Sequence, residues 1–150
     1  MIPTVRITKE FWLEMAHALY GHDGLCRNIH GHSYQLSVTV IGKPVHDNSE
    51  TKNGMLMDFG DLKTIVRKSI IDEFDHALVL NAGSPHKKEY KKLEDFSEKI
   101  VLFPTQPTCE NMVVYFAEKL SKRLPDNIKL HCLKLRETSS TYAEWYAEDN

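Results

Sequence analysis

Cysteine is scarce: Cys26, Cys109 and Cys132 are odd in number, widely spaced, and form no C-x-x-C pair. That argues against a disulfide framework and fits the reduced thiols of the cytoplasm, where a cysteine serves chemistry or fills core. Long apolar runs are missing too. The longest, Met112 to Ala117, is six residues, far short of the roughly 20 that a bilayer span needs. Met1-Ile2-Pro3-Thr4 has neither the basic nor the apolar stretch of a signal peptide. Charge of one sign is lacking as well: the formal net charge is −2, so there is no global pull toward nucleic acid or anionic membrane. An anionic ligand must therefore be held by local groups. No repeat, low-complexity tract or linker divides the 150 residues, and one domain spanning 1–150 is expected.

What the chain does have is concentrated. Four of its eight histidines, His17, His22, His30 and His32, fall within sixteen residues, with Cys26 among them. From Phe11 the pattern alternates: Phe11, Leu13, Met15 and His17 share one parity, as in a strand with His17 on its apolar face. Tyr20 to Arg27 carries Gly21, Asp23 and Gly24 and reads as a loop. His32 to Ile41 alternates again, and Lys43 to Gly54 is a polar connection. Asp58 has the position of a helix N-cap, with Asp61 at the positive end of the dipole. Leu62, Ile65, Val66, Ile70 and Phe74 follow at helical spacing up to Asp75-His76. Asn81 to Lys92 reads as a surface loop or short peripheral helix, and Ile100 to Phe103 as a brief strand. Thr108 is a second N-cap, before a helix bearing Val113, Phe116, Ala117, Leu120 and Leu124. Strands near Ile128–Glu137 and Tyr142–Tyr146 close the chain. The expected class is α+β: a ββααββ antiparallel sheet with two helices packed on one face.

His30 and His32 are two apart on a strand, so both side chains point to one face. A neighbouring strand carrying His17 can supply a third imidazole. Three neutral imidazoles suit Zn²⁺ and leave a fourth position open, the arrangement of catalytic sites. His22 is a further candidate ligand, but its Gly-rich loop favours solvent exposure. Cys26, beside Arg27 and four residues before His30, is a base or nucleophile if the cation favours its thiolate. It is otherwise a small core residue or a metal ligand itself. Cys109 and Cys132 read as packing residues. Asp75-His76 offers a proton-transfer pair, although adjacent residues do not readily share one another's ring and Asp75 need not orient His76 directly. Glu137 is either paired for structure or a receptor for a ligand's N–H groups.

The ordered set C-x₃-H-G-H, the upstream strand His17, Met57-Asp58-Phe59-Gly60-Asp61-Leu62-Lys63, Asp75-His76, Pro107-Thr108-Cys109-Glu110-Asn111 and Arg136-Glu137-Thr138 resembles the 6-pyruvoyl-tetrahydropterin synthase / 6-carboxy-tetrahydropterin synthase family. The resemblance implies the tunnelling fold (T-fold), with subunits forming a barrel as trimers paired into a homohexamer. It implies Zn²⁺ on His17, His30 and His32, Cys26 as the proton-abstracting residue, and Asp75 and His76 as its relay. Glu137 would hold the pterin's N–H edge or join the relay, and Thr108 and Glu110 would line the pterin pocket. The three-residue gap after Cys26 is similar to the carboxy branch, which serves queuosine biosynthesis; the pyruvoyl branch generally has a longer gap, and a third branch carries Glu in place of Cys. The implied reaction converts 7,8-dihydroneopterin triphosphate to 6-carboxy-5,6,7,8-tetrahydropterin, releasing acetaldehyde and triphosphate. The alternatives are a pyruvoyl-forming synthase and a non-catalytic pterin- or zinc-binding module. The Ala82–Phe103 insert has no role in this resemblance.

Overall fold

Two long strands carry the molecule. In the computed structural model, which describes residues 1–96 and 99–150, β1 spans Val5–Ala18 and β2 spans His30–Gly42. They pair antiparallel in unbroken register from Val5↔Gly42 to His17↔His30. One face of this ribbon is apolar: Leu13, Met15, Tyr34, Leu36 and Val38 are buried. The other face is polar, with Glu10, Glu14, Ser33 and Gln35 hydrogen-bonded to one another across the strands.

After β2 the polar 43–54 connection and the core-packed Leu56 lead to a helical segment built in three stretches. These are α1 (Phe59–Val66), a π-helical turn (Arg67–Ile71) and α2 (Asp72–Phe74). The Asp58 carboxylate accepts from the Gly60 amide at 2.6 Å, and so satisfies one of the amides that a helix start leaves open. Asp58→Ala is expected to cost about 1 kcal/mol of stability, read as a lowered denaturation midpoint with an unchanged m-value. The short helix α3 (Lys87–Tyr90) precedes a 3-10 turn at Lys91–Asp95. Helix α4 (Cys109–Ser121) is capped by Thr108, whose hydroxyl accepts from the Asn111 amide. Its Met112, Phe116 and Leu120 pack with Leu62, Val66 and Phe74 onto the apolar face of the sheet. The Phe74 and Phe116 rings meet edge to face at 5.0 Å.

The remaining strands are β3 (Ala77–Asn81), β4 (Ile100–Phe103), β5 (Lys129–Arg136) and β6 (Tyr142–Tyr146), in the order β4-β3-β1-β2-β5-β6. The expected ββ…ββ frame is present, with helices on one face, but the sheet is mixed rather than antiparallel throughout. β3 lies parallel to β1, and β4 parallel to β3. Alternation misses β3 because Ala77-Leu78-Val79-Leu80 is a short continuous apolar run, the pattern of a parallel strand covered on both sides. β1 also starts six residues before Phe11, since the half-buried Lys9 interrupts the apolar parity of Val5 and Ile7. The Ala82–Phe103 insert supplies α3 and β4, apart from residues 97 and 98, which lie outside the described residues. Among the described residues no helix is long and apolar enough to cross a membrane.

Candidate metal centre and active site

The end of the β1–β2 ribbon sets the site. Because His17 is the register partner of His30, and His32 follows two residues later, all three rings point to the helix-covered face. One ring nitrogen from each lies within 4.8 Å of the others. His17 is 2% exposed. Its Nδ1 lies 2.7 Å from the Pro107 carbonyl, and His30 Nδ1 lies 2.7 Å from the Asn28 carbonyl. A carbonyl only accepts, so both Nδ1 atoms carry the proton and both Nε2 atoms present lone pairs. Those two Nε2 atoms face each other at 3.0 Å, and His32 Nε2 is buried without a hydrogen-bond partner.

The two facing lone pairs repel one another unless a cation sits between them, and His32 Nε2 has no other partner to satisfy it. Burial pushes the His17 imidazole below its ordinary value, outweighing the upward effect of its bond to Pro107, with His30 and His32 adding to the lowering. A second proton on that ring is therefore disfavoured, and the three nitrogens are close enough together to hold a metal ion instead. The carbonyls of Pro107 and Asn28 fix the ring tautomers in the way that outer-shell acceptors do for metal-binding histidines in general.

Beside the histidines is a cavity of about 340 Å³ whose wall includes His17, Cys26, Thr108, Glu110 and Glu137. Cys26 is exposed on a 3-10 turn, Leu25–Arg27, outside the three-histidine cluster. Glu137 follows β5 directly, and its Oε1 lies 3.9 Å from His32 Nε2. The Tyr34 hydroxyl donates to Glu137 Oε2 at 3.2 Å. Burial, reinforced by the charge of Glu137, raises the Tyr34 phenol well above its ordinary value, so it stays a donor. Tyr34 was legible as core from its parity; its role beneath the site follows from H-x-H-x-Y, which stacks all three rings on one face. Cys109, by contrast, is a half-buried packing thiol pushed up to about 12 by burial, and it donates to the Leu135 carbonyl. His22 is exposed at the cavity rim and outside the cluster.

Asp75 and His76 are together but elsewhere. His76 lines a different depression, with Glu14, Ala16 and Ser33, on the polar side of the ribbon. Asp75 reaches its neighbour directly: Oδ2 lies 3.1 Å from His76 Nδ1. The reason is backbone geometry. His76 has φ 63°, a left-handed turn that folds the ring back toward its neighbour. Burial opposes ionisation of Asp75, but the Glu14 amide and His76 outweigh it and hold its carboxyl below the usual range.

Known proteins share this framework. A family model described as 6-pyruvoyl tetrahydropterin synthase matches residues 6–148. The 6-carboxy-5,6,7,8-tetrahydropterin synthase of Haemophilus influenzae is 33% identical over 141 residues, covering 93% of this chain and 97% of its own. The enzyme of that name from Aquifex aeolicus is 33% identical over 133 residues, covering 82% and 76%. Among solved structures, Caenorhabditis elegans 6-pyruvoyl tetrahydropterin synthase superposes with a TM-score of 0.71 at 23% identity, covering 97% of each chain. An uncharacterized protein from Wolinella succinogenes, WS1659, gives a TM-score of 0.78 at 20% identity, covering 97% of this chain and 99% of its own. The α+β architecture is thus a T-fold, and the chain belongs to the 6-pyruvoyl tetrahydropterin synthase family.

Proposed function

We propose that this chain is a zinc-dependent lyase. It converts 7,8-dihydroneopterin triphosphate and water to 6-carboxy-5,6,7,8-tetrahydropterin, acetaldehyde and triphosphate. One observation carries the reading: two imidazole Nε2 atoms face each other at 3.0 Å, beside a cavity walled by Cys26 and Glu137. The names of the relatives in Haemophilus influenzae and Aquifex aeolicus support the carboxy product.

His17, His30 and His32 would hold the metal. When bound there, a divalent cation supplies Lewis-acid stabilisation of negative charge on a substrate oxygen. Glu137, held by the Tyr34 hydroxyl, accepts hydrogen bonds from the pterin's amino and ring N–H edge, while Thr108 and Glu110 close the pocket at the start of α4. The described cavity wall carries Glu110 and Glu137 but no lysine or arginine. Charge repulsion therefore keeps the triphosphate out of the pocket and orients the pterin end inward. Cys26 takes a proton from the substrate side chain as thiolate, and His76, oriented by Asp75, returns one.

That relay needs a second copy, because His76 and Cys26 line separate depressions of one chain. The exposed apolar Leu25 and Ile29 on the thiol loop, at 84% and 60%, and the open sheet edges β4 and β6 are surfaces such a copy would cover. A homohexamer of paired trimers provides it. We read the chain as one domain, 1–150, acting in the cytoplasm, where its three unpaired thiols stay reduced. The product would feed queuosine biosynthesis. Product mass tests the reading: incubation with 7,8-dihydroneopterin triphosphate is expected to yield the 6-carboxy pterin. A product retaining the three-carbon side chain would instead make the chain a pyruvoyl-forming synthase.

A further inference from the structure

The loop that carries Cys26 has little to hold it. Residues 20–29 contribute no buried side chain, so packing does not fix the thiol. Short-range bonds shape the loop from within: the Leu19 amide donates to the Cys26 carbonyl at 2.9 Å, and the Arg27 amide to the Gly24 carbonyl at 3.3 Å. Among the described residues, one hydrogen bond reaches the loop's backbone from a distant part of the chain. Gln106 Nε2 donates to the Tyr20 carbonyl at 2.7 Å, across 86 residues of sequence.

Gln106 is itself held at both ends. Its Oε1 accepts from Asn81 Nδ2 at 3.1 Å, at the end of β3. Its carbonyl accepts from the Thr108 amide at 2.8 Å and from Asn111 Nδ2 at 2.9 Å. The next residue, Pro107, accepts from His17 Nδ1, and the one after, Thr108, caps α4. A single turn thus touches a metal-site histidine, the pocket wall and the thiol loop. Gln106 is the member that reaches the loop.

We infer that Gln106 is a positioning residue that sets the distance between the Cys26 thiol and the three-histidine centre. The inference rests on the reading of Cys26 as the proton-abstracting residue. A base displaced by about 1 Å from the reacting atom loses up to roughly 100-fold in rate, and substrate binding by Glu137 and Thr108 does not depend on where the loop sits. Loss of the tether should therefore appear in kcat and not in KM.

Two variants test this. Gln106→Glu keeps length and the acceptor for Asn81 but cannot donate to Tyr20. Gln106→Met keeps length with neither donor nor repulsion. For each, kcat and KM for 7,8-dihydroneopterin triphosphate, metal content, and amide hydrogen exchange over 19–28 and 109–121 are measured. We expect kcat to fall roughly 10- to 100-fold in both, with KM within about threefold and metal content unchanged. Exchange over 19–28 should be at least about fivefold faster while 109–121 stays as in the wild type. Wild-type exchange over 19–28 in both variants overturns the inference, as does a kcat within about twofold of wild type. Loss of metal together with kcat also overturns it, because the turn would then act through His17. If the wild-type protein does not turn over this substrate, the functional reading fails by itself, and exchange alone decides whether Gln106 tethers the loop.

Discussion

Cys26→Ala is expected to lower turnover by roughly 10²- to 10⁴-fold, the span that a positioned proton-transfer group contributes. Metal content and stability should stay at wild-type values. The reason lies in where the thiol sits. Cys26 is exposed on its turn, so its removal opens no cavity, and surface substitutions of this kind shift stability by no more than about 0.5 kcal/mol. It also lies outside the three-histidine cluster. Steady-state turnover with metal analysis of the same sample checks the expectation. Turnover within about twofold of wild type would remove the thiol from the mechanism, and loss of metal would make Cys26 a ligand. Cys109 offers the internal contrast: its thiol is pushed up to about 12 by burial and donates a hydrogen bond instead of accepting a proton.

His30→Ala is expected to abolish both metal binding and turnover. Two imidazoles do not make the three-ligand catalytic arrangement, and the outer-shell bond from His30 Nδ1 to Asn28 goes with the ring. His30 is the informative choice because it is only half-buried at the start of β2, whereas His17 is buried among core residues. With His30 gone, the lone-pair conflict at 3.0 Å disappears, so the apo variant should be no less stable than the apo wild type. Metal analysis after dialysis, with thermal denaturation of both apo proteins, reads the two parts separately. A variant that keeps its full metal complement would refute the three-histidine centre.

Much of this site was legible because strand parity is a strong constraint. His17 shares parity with Leu13 and Met15, and His32 with Tyr34 and Leu36; once β1 and β2 pair, the histidines have one face available. The caps Asp58 and Thr108 were legible for a similar local reason, since each opens an apolar helical pattern. What escaped depends on backbone geometry or on distant chain. The Asp75–His76 contact follows from a left-handed φ at a residue other than glycine, which no side-chain pattern announces. β3 lacks alternation because its outward residues Leu78 and Leu80 are as apolar as its core-facing Ala77 and Val79, and the π-helical turn at Arg67–Ile71 leaves the apolar spacing nearly unchanged. Gln106 sits in a Pro-flanked turn whose partner is 86 residues away. Separation of His76 from Cys26 is likewise a property of the folded sheet, invisible to the motif order that places both in one mechanism.

The product balance of the metal-loaded protein with 7,8-dihydroneopterin triphosphate decides whether this chain is a metal-dependent carboxy-forming lyase. One acetaldehyde and one triphosphate are expected for each 6-carboxy-5,6,7,8-tetrahydropterin formed, all three abolished by metal removal and restored by zinc. Triphosphate release without acetaldehyde, or full turnover by the metal-free protein, would contradict this reading.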